Sequence, residues 1–139
     1  MFSGRKEPLS DKVYKSMKSL EKETLNNTGG ILNICLNYGG QTEIVDTTKK
    51  LINDVLDGKL KTEDITPEIF MKNLYNDLPP IDFLIRTSGE IRVSNFMLFS
   101  LAYAEMYFPH TYFPDFKEDE FDKALEEYTK RDRRFGKNK

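Results

Sequence analysis

The stretch DFLIRTSGEIRVSNFMLFSLAYAEMYF, residues 82–108, decides the fold of this chain. It opens inside a short apolar run, residues 81–85, of the kind that forms a buried β-strand. A tight polar turn, Thr87-Ser88-Gly89, follows that run, and an almost wholly apolar segment from about 95 to 107 predicts a buried helix. A strand, a turn and a helix in this order are the repeating unit of an α/β fold.

The same alternation of helices and strands is predicted on both sides of this stretch. In chain order, the pattern predicts a helix begun by Pro8-Leu9-Ser10, a strand over 31–36, a helix closed by Asp57-Gly58, a short helix opened by Thr66-Pro67, the central strand and helix, a third strand over 112–116, and a last helix around Phe121, Leu125 and Tyr128. Continuous apolar strands favour a parallel sheet flanked by helices, so the expected fold class is α/β. We expect residues 1–139 to form a single domain, with 130–139 as a basic C-terminal tail. Three strands make a narrow sheet with exposed edges, which indicates that strands are missing.

The composition excludes several classes of function. The 139 residues carry a formal net charge of −2, which gives no general attraction to nucleic acid or to an anionic membrane. The lone Cys35 cannot form an intramolecular disulfide, and with a single His a Cys/His zinc site is not expected. The most apolar stretch, residues 96–108, is too short to span a bilayer, and the N-terminus lacks a signal-peptide core. The expected location is therefore the cytoplasm, and the basic tail is expected to be solvated surface rather than a nucleic-acid site.

The turn that follows residues 81–85 collects groups that bind oxyanions. Arg86 stands at the carboxyl end of the predicted strand, where α/β sheets bind their ligands. Gly89 lets the backbone approach a ligand, and Arg92 adds a second guanidinium group. Ser94 and Asn95 are expected to cap the next helix. Together these groups predict a phosphate or diphosphate site, with surface ion pairs as the alternative.

Glu105 is the only formally charged residue between positions 93 and 114. A carboxylate in a buried apolar helix needs a cation, a metal ion or a proton to compensate its desolvation. A salt bridge with Arg86 or Arg92 would satisfy it, and so would Mg²⁺, which prefers oxygen ligands beside a diphosphate. The residues themselves leave both interpretations open.

Several motifs run in the same order as in one enzyme family. The central stretch reads Asp82-x-x-Ile85-Arg86-Thr87-Ser88-Gly89-Glu90-x-Arg92-x-Ser94-Asn95-Phe96, followed by Ala102-Tyr103-x-Glu105-x-Tyr107-Phe108. Around it stand Asn33-x-x-x-Asn37-Tyr38-Gly39-Gly40, Phe113-Pro114-Asp115-Phe116 and Arg131-x-Arg133-Arg134-Phe135-Gly136. The set resembles the C-terminal part of cis-prenyltransferases of the undecaprenyl-diphosphate-synthase type, across nearly the whole chain.

The resemblance implies a fold, an activity and partners. The fold would be a partial version of a six-stranded parallel sheet whose flanking helices surround a hydrophobic product tunnel. The activity would be head-to-tail condensation of isopentenyl diphosphate with an allylic diphosphate such as farnesyl diphosphate, giving a polyprenyl diphosphate with a cis double bond. A homodimer or a partner chain is expected, and a lipid product implies a peripheral association with the membrane.

The resemblance also implies roles for residues of this sequence. Arg86, Arg92 and Ser94 would hold the isopentenyl diphosphate, and Glu105 would bind Mg²⁺ as the cofactor. Gly89, Glu90 and Val93 would belong to the same substrate-binding loop, with Glu90 ordering it. The C-terminal segment that approaches the partner subunit's active site in family dimers would include Arg133, Phe135 and Gly136.

Departures from the family pattern are as informative as the matches. The family's first motif, M-D-G-N-G-R-W, supplies the catalytic Asp, and neither it nor the later F-S-x-E-N-W segment occurs in this sequence. Gln41 replaces a usual Arg, and Ile91 replaces a usual polar residue. No complete catalytic set is present, so the chain is expected to be inactive alone. The alternative is a non-catalytic module that assists a full-length prenyltransferase partner.

Overall fold

The computed structural model describes residues 1–131, which form parts of two compact units. The first unit is Met1–Leu78 and the second begins at Pro79. Each contains a two-stranded parallel sheet and at least one α-helix, and this agrees with the expected α/β class. The single-domain organisation stays a prediction. Arg133, Phe135, Gly136 and most of the predicted basic tail lie outside the described residues.

The first unit joins two very short strands to three helices. Its elements are β1 (Phe2–Ser3), α1 (Asp11–Glu23), β2 (Ile34–Cys35), α2 (Gly40–Leu56), a 3₁₀ turn (Thr62–Asp64) and α3 (Pro67–Lys72). β1 runs parallel to β2, with Phe2 opposite Ile34. The sequence did not predict β1, because two residues are too few to show a pattern. The strand predicted over 31–36 is present but shorter.

Side-chain caps fix where two of these helices begin. The hydroxyl of Ser10 accepts a hydrogen bond from the backbone N–H of Val13 at 3.4 Å and starts α1. Thr66 accepts from the N–H of Ile69 at 3.3 Å and starts α3, with Pro67 at its first turn. These caps satisfy amides that have no partner inside the helix. Both starting points were predicted from the sequence and are confirmed.

An open apolar groove of about 650 Å³ lies in the first unit. Leu25, Ile31 and Leu32 line it, and each side chain is at least 70% exposed. Solvated leucine and isoleucine side chains grouped in this way mark a surface suited to contact with other protein.

The second unit places two strands and a helix around a long turn region. Its elements are β3 (Phe83–Ile85), β4 (Glu105–Tyr107), a 3₁₀ turn (Phe113–Asp115) and α4 (Glu118–Thr129). β3 and β4 are parallel, with Phe83 opposite Glu105 and Ile85 opposite Tyr107. Tyr128 of α4 packs on Phe83, with ring centroids 4.9 Å apart. The helix thereby covers one part of this small sheet.

The helix predicted from about 95 to 107 is wrong. Ser94, Asn95 and Met97 have positive φ angles of 46°, 62° and 41°, in the left-handed region that a right-handed helix excludes. The chain forms successive turns there, and its last three residues become β4. The strand predicted over 112–116 is also wrong, since this segment contains a 3₁₀ turn. Pro114 has no N–H to donate to a strand ladder and favours such a turn.

No helix within residues 1–131 is both long enough and apolar enough to cross a membrane.

Candidate diphosphate-binding loop

The guanidinium group of Arg86 organises the loop that follows β3. Its Nη1 donates to the backbone carbonyl oxygen of Arg92 at 2.6 Å and to Oγ of Ser94 at 2.8 Å. β3 ends at Ile85, so Arg86 occupies the carboxyl end of a parallel strand. The three residues predicted to bind diphosphate are therefore close together in space. Their role in substrate binding stays a prediction.

Arg92 forms an ion pair with Glu90 of the same loop. The two side chains are 59% and 44% exposed, and ion pairs of this kind add little to stability because water screens them. A bound anion can therefore replace Glu90 as the partner of Arg92 with only a small loss of free energy. Val93, the other predicted member of the loop, is half-buried, and its carbonyl oxygen accepts the N–H of Phe96 at 2.9 Å.

Three backbone hydrogen bonds fasten the loop to the segment that follows β4. The N–H groups of Arg86, Ser88 and Gly89 donate to the carbonyl oxygens of Tyr107, Thr111 and Pro109, at 3.0, 2.8 and 2.8 Å. Ser88 and Gly89 have φ angles of 71° and 67°, which turn their amides toward that segment. We call these three bonds the clasp. The sequence did not predict it, because it depends on the unexpected pairing of β3 with β4.

His110 lies at the centre of the clasp and was missed by the sequence analysis. A Cβ atom added to Gly89 would come within 2.7 Å of its Nδ1 atom. Its neighbours Pro109 and Thr111 provide two of the three acceptors. The one available signal was that His110 is the only histidine of the chain, three residues after β4.

Glu105 is in a strand, not in a helix, and its partner is Arg131. Nη1 of Arg131 donates to Oε2 of Glu105 at 2.8 Å, with side chains 36% and 27% exposed. Of the two interpretations left open by the sequence, the ion pair is present, but its cation is Arg131 and not Arg86 or Arg92. Glu105 stands opposite Phe83, three residues before Arg86. At the usual rise per strand residue, this is about 10 Å along the sheet.

The described carboxylates give only a partial fit to Mg²⁺. Among residues 1–131, no group of three or more His, Cys, Asp or Glu side chains is arranged to hold a metal ion. Mg²⁺ is commonly held by one or two carboxylates together with substrate phosphates and water. Glu105 fits such an arrangement as a single ligand, provided that Arg131 releases it.

The motif Asn37-Tyr38-Gly39-Gly40 has a structural role in the first unit. Nδ2 of Asn37 donates to the backbone oxygens of Arg5 and Glu7, at 2.9 and 2.6 Å. The hydroxyl of Tyr38 donates to the buried carboxylate of Glu43. These contacts hold the turn after β1 against the end of β2 and the start of α2.

A second polar network ties the same turn to α2 and to the residues after α3. Arg5 donates twice to the carboxylate of Asp46, at 2.8 and 2.6 Å, and the hydroxyl of Tyr75 donates to it at 2.6 Å. The hydrogen bonds from Arg5 and Tyr75 lower the pKa of Asp46 to about 2. Burial, followed by the hydrogen bond to Asp46, raises the pKa of Tyr75 to about 12. The network is thus charged and intact at neutral pH.

Comparisons with known proteins show which family this chain resembles. Residues 1–136 match the family described as "Putative undecaprenyl diphosphate synthase". An isoprenyl transferase of Fusobacterium nucleatum is 51% identical over 134 residues, which are 96% of this chain and 56% of that protein. A ditrans,polycis-undecaprenyl-diphosphate synthase of Legionella pneumophila, farnesyl-diphosphate specific by name, is 48% identical over 97% of this chain and 57% of its own length.

Solved structures give the same result. Lavandulyl diphosphate synthase from Lavandula x intermedia, in complex with dimethylallyl diphosphate, superposes with a TM-score of 0.91 and 34% sequence identity. The match covers 99% of this chain and 60% of that one. The chain thus spans somewhat more than half the length of the relatives that it matches. These matches show that the chain belongs to the undecaprenyl diphosphate synthase family of prenyltransferases.

Proposed function

We propose that the chain is part of a cis-prenyltransferase that condenses isopentenyl diphosphate with an allylic diphosphate into polyprenyl diphosphate. In this reaction the described portion holds the diphosphate of isopentenyl diphosphate. The observation that carries the proposal is the fork of Arg86, held between the Arg92 carbonyl and Ser94 Oγ at the carboxyl end of β3. The family membership supports the same reaction class.

Each residue of the loop has a distinct task in this function. Arg86 keeps further N–H donors for phosphate oxygens beyond those used within the loop. Arg92 leaves the carboxylate of Glu90 and binds the diphosphate instead. The hydroxyl group of Ser94 donates a hydrogen bond to the diphosphate. Fixing the headgroup orients the alkene toward the allylic carbon, which lowers the entropic part of the barrier.

Glu105 is the residue of this chain that would hold Mg²⁺. The metal would neutralise diphosphate charge and polarise the leaving group. Arg131, which holds the carboxylate in the free chain, would have to move aside. The name of the Legionella relative makes farnesyl diphosphate the first choice of allylic substrate.

The alternative function is that of a non-catalytic partner of a full-length prenyltransferase. The presence of Arg86, Arg92, Ser94 and Glu105 favours a catalytic chain, because a purely structural partner has no need of them. A homodimer or a partner chain, the cytoplasm as location and a peripheral association with the membrane remain parts of this proposal.

Calorimetry with inorganic pyrophosphate tests the loop. We expect Arg92→Ala to weaken binding about 10-fold or more, since a charge-assisted hydrogen bond contributes about 1.5–3 kcal/mol. Lys130→Ala is the matched control, because Lys130 pairs with Glu127 at the end of α4. Equal affinities of Arg92→Ala and the parent would contradict the assignment.

Prenyl transfer tests the whole activity. The purified chain with Mg²⁺, farnesyl diphosphate and labelled isopentenyl diphosphate is expected to give no polyprenyl product, because the sequence lacks the family's first Asp motif. Abundant product from the chain alone would show that other residues replace that Asp.

A further inference from the structure

His110 packs against the middle of the candidate diphosphate-binding loop. Gly89 lies three residues from both Arg86 and Arg92 in the sequence. Atoms Nδ1, Cε1 and Cγ of the His110 ring would lie 2.7, 3.3 and 3.6 Å from a Cβ added at Gly89. The imidazole therefore occupies the space that a side chain at position 89 would take, beside the loop that holds both arginines.

The imidazole is exposed, and the backbone on both sides of it is fixed. Gly89 N–H binds the carbonyl oxygen of Pro109 and Ser88 N–H binds that of Thr111, both at 2.8 Å. Within the part of the chain that the structure describes, the ring nitrogens have no hydrogen-bond or ion-pair partner. The three bonds of the clasp thus hold the imidazole next to the loop, and within the described residues its nitrogens have no hydrogen-bond partner.

Charged groups lie on each element next to the ring. The loop presents Arg86 and the pair of Arg92 with Glu90. On α4, Glu120 accepts from Oγ1 of Thr111 at 2.9 Å and from Lys123 at 2.5 Å, so its charge is compensated. The next charged residue of the segment after β4 is Asp115. Among the described residues, none of these carboxylates forms a hydrogen bond or ion pair with His110.

We propose that His110 is a further diphosphate-binding residue, which in its protonated form adds a positive charge and an N–H donor to the loop of Arg86, Arg92 and Ser94. This inference rests on the proposed function, because it requires a diphosphate at that loop. Histidine is the one side chain whose ordinary titration falls between pH 5 and 8. Binding of the diphosphate headgroup would therefore strengthen as the pH falls through the neutral range.

Matched substitutions separate this role from a structural one. The two pH values 6.0 and 8.0 lie on either side of the ordinary histidine pKa of about 6.5. We expect His110→Gln to weaken pyrophosphate binding about 5-fold at pH 6.0 and to leave it nearly unchanged at pH 8.0. His110→Lys, which is charged at both pH values, should bind as tightly as the parent at pH 6.0 and more tightly at pH 8.0. Comparing variants at the same pH cancels the titration of pyrophosphate itself.

The imidazole also gives a direct readout. His110 is the only histidine of the chain, so its ring resonances in proton NMR need no assignment by mutation. Linkage requires that a ligand which prefers the protonated ring raise the midpoint of its titration. A 5-fold preference corresponds to an upward shift of about 0.7 pH unit on saturation with pyrophosphate.

The outcomes distinguish this inference from the function on which it rests. If the parent binds pyrophosphate and Arg92→Ala does not, but His110→Gln binds equally at both pH values, the loop stands and the role of His110 is overturned. A loss of affinity in His110→Gln that is the same at pH 6.0 and pH 8.0, with no rescue by His110→Lys, also overturns it and indicates a packing role. A parent chain that binds no pyrophosphate at either pH overturns both proposals.

Discussion

Gly89 is subject to two constraints at one position. Its φ of 67° lies in the left-handed region, and a Cβ there would stand 2.7 Å from Nδ1 of His110. Gly58 has a similar φ of 70°, with nothing within 4 Å of its added Cβ. Substitutions at the two glycines can therefore be compared to separate the energetic cost of backbone conformation from that of a steric contact.

Gly89→Ala is expected to lower the free energy of unfolding by about 1–2 kcal/mol and to weaken pyrophosphate binding, because it strains the backbone and displaces His110. Gly58→Ala should show the backbone cost of about 1 kcal/mol and no change in binding. Urea denaturation followed by circular dichroism, together with calorimetry, measures both effects. In the double variant with His110→Ala, the steric part should disappear. A double variant that is as impaired as the sum of the single ones would argue against this contact.

The candidate site was predictable at the residue level only where it is local in sequence. Arg86, Arg92 and Ser94 lie within nine positions, so one turn after a strand is enough to gather them. His110 comes next to the loop through the pairing of β3 with β4. Arg131 comes next to Glu105 because it follows α4. No local pattern of charge or hydrophobicity encodes such a tertiary contact.

Among the elements, helices with a cap and an amphipathic pattern were predicted well. α1 begins at the predicted start Pro8-Leu9-Ser10 and α3 at the predicted Thr66-Pro67, because a side-chain acceptor of Ser10 or Thr66 fixes the first turn. β4 was missed because an apolar run that reads as a helix is broken by positive φ values at Ser94, Asn95 and Met97. Ser94 also accepts a hydrogen bond from Arg86, and neither this contact nor the positive φ values are visible in composition.

The elements of the first unit are joined by a network that depends on pH. Asp46 has a pKa lowered to about 2 by Arg5 and Tyr75, compared with about 3.9 in an unfolded chain. A lowered pKa in the folded state stabilises the protein above pH 4, and this contribution is lost as the pH falls from about 4 to 2. The network thus stabilises the folded chain at neutral pH and loses this stabilising effect in acid.

Asp46→Asn is expected to reduce the free energy of unfolding by about 1 kcal/mol at pH 7, since the Arg5–Asp46 pair is partly exposed. The difference from the parent should shrink below pH 4 and vanish only below pH 2. Urea titrations at several pH values measure this. Asp54→Asn in the same helix is the control, because Asp54 lies 3.8 Å from Lys59 and has a weak ion pair. A difference that stays constant down to pH 2 would contradict the role of the network.

For the molecule as a whole, the uncovered apolar surface of the first unit has the largest physical consequence. Leu25, Ile31 and Leu32 remain exposed around the groove of the first unit, in a chain that spans somewhat more than half the length of its relatives. Water contact with this surface is unfavourable, and another protein surface can remove it.

We expect the isolated chain to self-associate, and Leu32→Glu to weaken that association at least 10-fold. A buried leucine contributes about 1.5–3 kcal/mol, and a charge in its place must be desolvated. Sedimentation velocity over a range of concentrations measures the change. Asn53→Glu is the control, because it adds the same charge at an exposed polar position of α2. A parent chain that stays monomeric at every concentration would refute the expectation.

Each of the two units carries one residue type that occurs nowhere else in the chain. Cys35 is in β2 of the first unit, where burial raises the pKa of its thiol and keeps the thiolate scarce. His110 is in the second unit. The rate at which the half-buried Cys35 is alkylated therefore reports changes around β2 of the first unit, while the imidazole signal follows the second. The sequence thus contains a separate chemical reporter for each unit, so that a perturbation of one unit can be distinguished from a perturbation of the other in the same sample.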